Sequence, residues 1–112
     1  MYYYQIWCNL KDSSKDLEFC RSLDAYLGYL QQRRLIESFK LTRRTFGFGP
    51  ADLGEFCVSI VVKDLAQLEQ AQLRAASRDH EVEPLHRAVF SVVTGLRSAL
   101  FRDFPDEIRS GK

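Results

Sequence analysis

His86 is the residue whose type and surroundings point most directly to chemistry. It lies in Pro84-Leu85-His86-Arg87-Ala88-Val89-Phe90 and, at helical spacing, shares a face with Val82, Leu85, Val89 and Val93. That spacing directs the imidazole inward, where it can hold or move a proton near neutrality, so His86 is the candidate catalytic residue. The competing reading is a core histidine whose ring nitrogen is satisfied by a carbonyl or a tyrosine. Tyr4, Trp7 and Tyr26 are the candidate substrate-binding walls, because aromatic rings with polar tips combine contact area with hydrogen bonding. Tyr2, Tyr3 and Tyr29 add to the same aromatic load, which core and interface packing would also explain. Arg43 is the candidate for meeting an anionic group. Arg43 and Arg44 point to opposite sides of an extended segment, so at most one can face a covered interior.

Other chemistries lack their residues. His80 sits in a polar stretch, and two histidines without clustered carboxylates do not make a transition-metal site. Cys8, Cys20 and Cys57 have no C-x-x-C spacing and lie in apolar contexts, which suits buried thiols and predicts neither a disulfide nor a zinc ion. Gly47-Phe48-Gly49 is followed by no helix that could aim amides at a phosphate, so it reads as a turn, and no cofactor-binding motif stands elsewhere. No nucleophile elbow, Ser-His-Asp spacing or carboxylate pair supports hydrolysis.

The 112 residues make one domain, with residues 1–105 folded and 106–112 a polar tail. Sixteen basic against fifteen acidic side chains leave no field that would draw the chain to nucleic acid or an anionic membrane. The longest apolar run is far short of a span, and Met1-Tyr2-Tyr3-Tyr4 lacks the features of a signal peptide, so a cytoplasmic protein is expected.

The elements that must position these residues follow from periodicity. Glu55–Lys63 is the central strand, with Phe56, Val58, Ile60 and Val62 on one face and Cys57, Ser59 and Val61 on the other. Tyr2–Leu10 is a first strand, its second face carrying Tyr3, Gln5, Trp7 and Asn9. A helix is predicted to start near Ser13-x-x-Asp16, an approximate capping box, and to carry Leu17, Cys20, Leu23, Leu27 and Leu30 with Phe19 and Tyr26 beside them. Ile36–Phe46 is an edge strand, joined by Gly47–Gly54 to the central one. Helical stretches at 65–77 and 82–93, broken at 77–81, lead to a last strand at 96–104.

Strand, helix, strand, strand, helix pair, strand is the split β-α-β order of an α+β, ferredoxin-like βαββαβ fold, with an antiparallel sheet and its helices on one face. Tyr3, Trp7, Cys57 and Val61 then form an uncovered face, which predicts a homodimer. In this order the chain resembles the dimeric α/β-barrel superfamily, nearest to stress-responsive barrel proteins and antibiotic-biosynthesis-type monooxygenases. Pro84-x-His86-x-x-Val89-Phe90 looks like the Pro-x-His-x-x-apolar segment in the second helical region of the stress-responsive group, whereas Tyr2-Tyr3-Tyr4-Gln5-Ile6 replaces a first strand that in that group often carries a histidine. The resemblance implies a dimeric α/β barrel that binds a small hydrophobic or aromatic ligand, with metal-free monooxygenase- or isomerase-like activity. The same element order also builds an RNA-recognition module, but Glu55 and Cys57 stand where its base-stacking aromatics belong. A dimer without catalytic activity is a third reading.

Overall fold

Alternation along 56–62 decides the architecture. In a computed structural model that describes residues 1–77 and 80–106, Phe56, Val58, Ile60 and Val62 are buried while Cys57, Ser59 and Val61 are half-buried. The strand is therefore packed hard on one side only. Four strands, β1 (Tyr2–Leu10), β2 (Ser38–Arg43), β3 (Phe56–Val62) and β4 (Val93–Arg102), form one sheet in the order β2-β3-β1-β4. Every neighbouring pair is antiparallel. Three helices, α1 (Asp16–Gln32), α2 (Leu65–Ala76) and α3 (Val82–Phe90), complete the ferredoxin-like βαββαβ pattern.

Helix α1 buries Phe19, Leu23, Tyr26, Leu27 and Leu30 against the sheet, and Phe19 meets Phe56 edge to face at 5.5 Å. Its entry differs from expectation. The Asp12 side chain accepts from the Ser14 amide and caps a 3-10 turn over Ser13–Lys15, so α1 starts at Asp16 and Leu17 is left in water. One extra turn before the helix sets its phase, and the large Phe19 ring takes the inward position instead of Leu17. Helix α2 has the expected cap: Asp64 Oδ1 accepts from the Gln67 amide at 2.8 Å. The buried Gln67 amide in turn accepts from Lys63 N at 2.7 Å and donates to the Arg34 carbonyl at 3.0 Å, which ties the start of α2 to the α1–β2 connection. Helix α3 ends at Phe90, and β4 begins at Val93, three residues before its predicted start. A bond from Lys11 N to the Val92 carbonyl at 2.9 Å extends pairing with β1 past the point where Val89 and Val93 still match helical spacing.

Among the described residues no second helical layer covers the sheet, and the slab is only 18 Å in its shortest dimension. Register places Tyr3, Gln5 and Trp7 of β1 opposite Phe101, Ala99 and Arg97 of β4, all on the uncovered face. No helix among the described residues is long and apolar enough to cross a membrane. Of the predicted polar tail, 107–112 lie outside the described residues.

Candidate functional site

Between the sheet and its helices lies a cavity of about 500 Å³, lined by Tyr4, Ile6, Val58 and Ile60 from the sheet, Leu23, Tyr26 and Leu27 from α1, Ala71 and Gln72 from α2, and His86 and Phe90 from α3. Its existence follows from the side chains that α2 presents: the alanines at 71, 75 and 76 and Leu68 are too small or too far around the helix to fill the space that a bulkier face would close. Of the lining residues, Gln72 and Ala76 of α2 and Leu96 and Ser98 of β4 are exposed.

On the α1–α3 wall of this cavity His86, Tyr26 and Phe90 form one aromatic cluster. The His86 ring stacks on Phe90, with centroids 4.4 Å apart and planes 28° from parallel. Tyr26 meets His86 edge to face at 5.5 Å and Phe90 at 6.2 Å. Neither the imidazole nor the Tyr26 hydroxyl has a hydrogen-bond partner among the described residues. Both are therefore free to bond a molecule in the cavity.

Burial decides their protonation. It lowers the His86 pKa from the ordinary 6.5, so the ring is neutral at pH 7 and offers one donor and one acceptor nitrogen. It pushes the Tyr26 hydroxyl up to about 12, so that group keeps its proton throughout the physiological range. Cys8, which also lines the cavity, is pushed up to about 11 by burial and, secondarily, by Cys57; it is a protonated, inert thiol. The one cation among the lining residues, Arg97, is already bonded to Asp52 at 2.6 Å. The cavity is thus mostly apolar, with its one cation already paired and with His86 and Tyr26 side by side, and it can hold a neutral molecule by a polar end.

Of the residues singled out from sequence, His86, Tyr26 and Tyr4 are brought together here. Trp7 lies across the sheet, on the uncovered face. Arg43 is not among the residues that line the cavity: its guanidinium lies 5.1 Å over the Phe56 ring and is shared between Glu55 at 2.9 Å and Asp16 at 3.1 Å, so its charge is spent inside the protein. Arg44 folds back onto the carbonyls of Leu53 and Gly54. Phe90 and Gln72 were not anticipated; Phe90 was legible, standing four residues after His86 on one helical face. His80 is exposed.

The uncovered face has its own pattern. At its centre Gln5 Oε1 accepts from Ser59 Oγ at 2.5 Å and from Cys57 Sγ at 3.4 Å, and around that polar centre stand Tyr3, Trp7, Val61 and Phe101. A polar centre with its bonds already made and an apolar surround resembles a sheet surface made to be covered.

A family model described as "Family of unknown function (DUF6614)" matches residues 1–112, and the chain belongs to that family. No curated protein matches it. Among solved structures it is similar to a dimeric ferredoxin-like protein of unknown function from Jannaschia sp. CCS1, with a TM-score of 0.67 at 9% identity over 91% of this chain and 98% of that one. It is likewise similar to protein Atu4242 from Agrobacterium tumefaciens, with a TM-score of 0.68 at 11% identity over 94% and 95% of the two chains. A third is a dimeric ferredoxin-like protein from an uncultured marine organism, with a TM-score of 0.62 at 9% identity over 94% and 95%. At such identities these likenesses establish the fold.

Proposed function

We propose that this member of the DUF6614 family is a homodimer in which each protomer binds a small, neutral, hydrophobic or aromatic molecule between sheet and helices, its polar end held by His86 and Tyr26. One observation carries the ligand: an apolar cavity of about 500 Å³ in which two hydrogen-bonding side chains, His86 and Tyr26, have no partner among the described residues. That volume is in the range that encloses small organic ligands. The uncovered sheet face supports the dimer, as do the dimeric ferredoxin-like proteins of the same fold. A neutral imidazole beside a phenol that stays protonated can also accept a proton from the bound molecule while the phenol donates to its oxygen. A metal-free, isomerase-like proton transfer is therefore the activity these residues fit. Nucleic acid does not fit. Of the cations on the uncovered face of the four described strands, Arg97 is bonded to Asp52, which leaves Lys40 to meet a phosphate backbone.

Thermal-shift titration against neutral aromatic ketones and phenols tests the site. Wild type is expected to gain melting temperature with a subset of them. His86→Gln keeps hydrogen bonding but cannot take up a proton near neutrality. It should melt within a few degrees of wild type, since at most about 1 kcal/mol of packing changes, while its ligand-induced shift falls to a small fraction. A variant that melts lower yet responds to ligand like wild type would make His86 purely structural.

A further inference from the structure

Two phenylalanines stand almost wholly in water at the tip of the β2–β3 connection, Phe46 at 88% and Phe48 at 81% exposure. Their rings meet edge to face at 6.3 Å, so they form one apolar tip. The tip is held in place. Phe46 and Gly47 both take left-handed backbone, with φ of 55° and 70°, a conformation that a side-chain-bearing residue rarely keeps unless its surroundings enforce it. Bonds from Phe48 N to the Thr45 carbonyl at 3.1 Å and from Leu53 N to the Pro50 carbonyl at 3.2 Å close the loop, and the Arg44 guanidinium bridges its base through the Leu53 and Gly54 carbonyls. Asp52 bonds Arg97, the β4 residue opposite Trp7, which fixes the loop beside the uncovered sheet face.

The surroundings select the occupant. Thr45–Gly54 contains no basic residue and one carboxylate, Asp52, while Arg43 and Arg44 at its base are engaged with Asp16, Glu55 and backbone carbonyls. An anionic lipid surface finds no cation there to draw it. A second copy of this chain, by contrast, offers a matching surface. At the opposite end of the same sheet, Phe101 is 53% exposed on the uncovered face, and just beyond it Phe104 is 87% exposed. A two-fold axis lying between two such faces and oblique to the strands, running across the diagonal from the β2–β3 corner to the far end of β4, brings the loop end of one protomer over the far end of β4 in the other, and makes the contact twice.

We infer that the Phe46–Phe48 tip of each protomer docks on Phe101 and Phe104 of the partner subunit, clasping the two sheet faces together. This rests on the homodimer proposed above and adds to it the part of the chain that holds the partner. The test measures self-association across a dilution series for wild type, Phe46→Ser/Phe48→Ser and Trp7→Ala, with circular dichroism to verify folding. Photo-cross-linking from p-benzoylphenylalanine at position 46 then maps the contact. The tip variant should keep the fold and dimerise about tenfold or more weakly, as expected for loss of a buried aromatic anchor. The cross-link should map to the peptide of the partner that carries residues 97–106. If wild type and the tip variant dimerise equally while Trp7→Ala does not, the dimer stands and the clasp is wrong. A wild type that stays monomeric overturns both. Tip-dependent sedimentation with phosphatidylcholine–phosphatidylserine vesicles, without self-association, would reassign the tip to membranes.

Discussion

Gly54→Ala is expected to lower the melting temperature by roughly 20 °C, the cost of a steric conflict on the order of 4 kcal/mol. Gly54 is buried where the chain enters β3, and a Cβ added there would lie 2.5 Å from the Cys8 amide nitrogen and 2.6 Å from both its carbonyl carbon and its oxygen. All three neighbours are backbone atoms of the central strand β1, so no side chain can swing aside. The next residue is anchored at the same place, because Glu55 N donates to Asn9 Oδ1 at 2.9 Å, beside the point where the β1–β4 register shifts between Trp7 and Asn9. The conflict comes from the first added carbon, so valine should cost little more than alanine. Gly28 supplies the contrast: it lies inside α1, and a Cβ there meets nothing within 4 Å, so Gly28→Ala should stabilise by about 0.5–1 kcal/mol through helix propensity. Thermal melts of the two alanine variants measure both effects. Equal, small changes at the two positions would refute the close approach at Gly54.

How much of this was legible beforehand differs by element. The faces of β3 were, because a run of β-branched and aromatic residues at period two leaves one arrangement that buries Phe56, Val58, Ile60 and Val62 together. Element ends were less legible, since they are set by contacts distant in sequence: Val93 continues the spacing of Val89 but is captured by pairing with Leu10. The site was half legible. His86 and Tyr26 lie on helix faces whose inward direction periodicity gives, and the structure places them 5.5 Å apart. Tyr4 and Trp7, three residues apart on one strand, necessarily point to opposite faces, so they could not line one cavity whatever their chemistry. That the space beneath α2 stays open depends on its run of alanines facing the right way. Exposure of Phe46 and Phe48 depends on a loop conformation in which Phe46 takes positive φ, and composition does not encode that.

The protein should lose stability steeply between pH 9 and pH 12, because two buried groups near the cavity hold their protons far longer when folded than when unfolded. Burial pushes Tyr26 from 10.0 to about 12 and Cys8 from 9.0 to about 11. A folded pKa above the unfolded one gives stability that is intact below the unfolded value and is lost as pH rises through the folded value. The Cys8 contribution therefore declines from about pH 9 to 11 and that of Tyr26 from about 10 to 12. Each shift of about two pH units corresponds to roughly 2–3 kcal/mol, and together they approach the whole stability of a small domain. Tyr3 is also raised, by its hydrogen bond to Asp103 at 2.6 Å, but that bond lies at the surface, where Asp103 is exposed, and adds little. Urea midpoints measured from pH 8 upward should fall across this window, and tyrosinate absorbance should show Tyr26 titrating together with unfolding, as the signal that Tyr26→Phe removes. Tyr26→Phe removes the later part of the decline and Cys8→Ala the earlier part, each at its own packing cost near neutrality. A wild-type midpoint that stays level up to pH 11 would mean that neither group is shielded from water as the geometry requires.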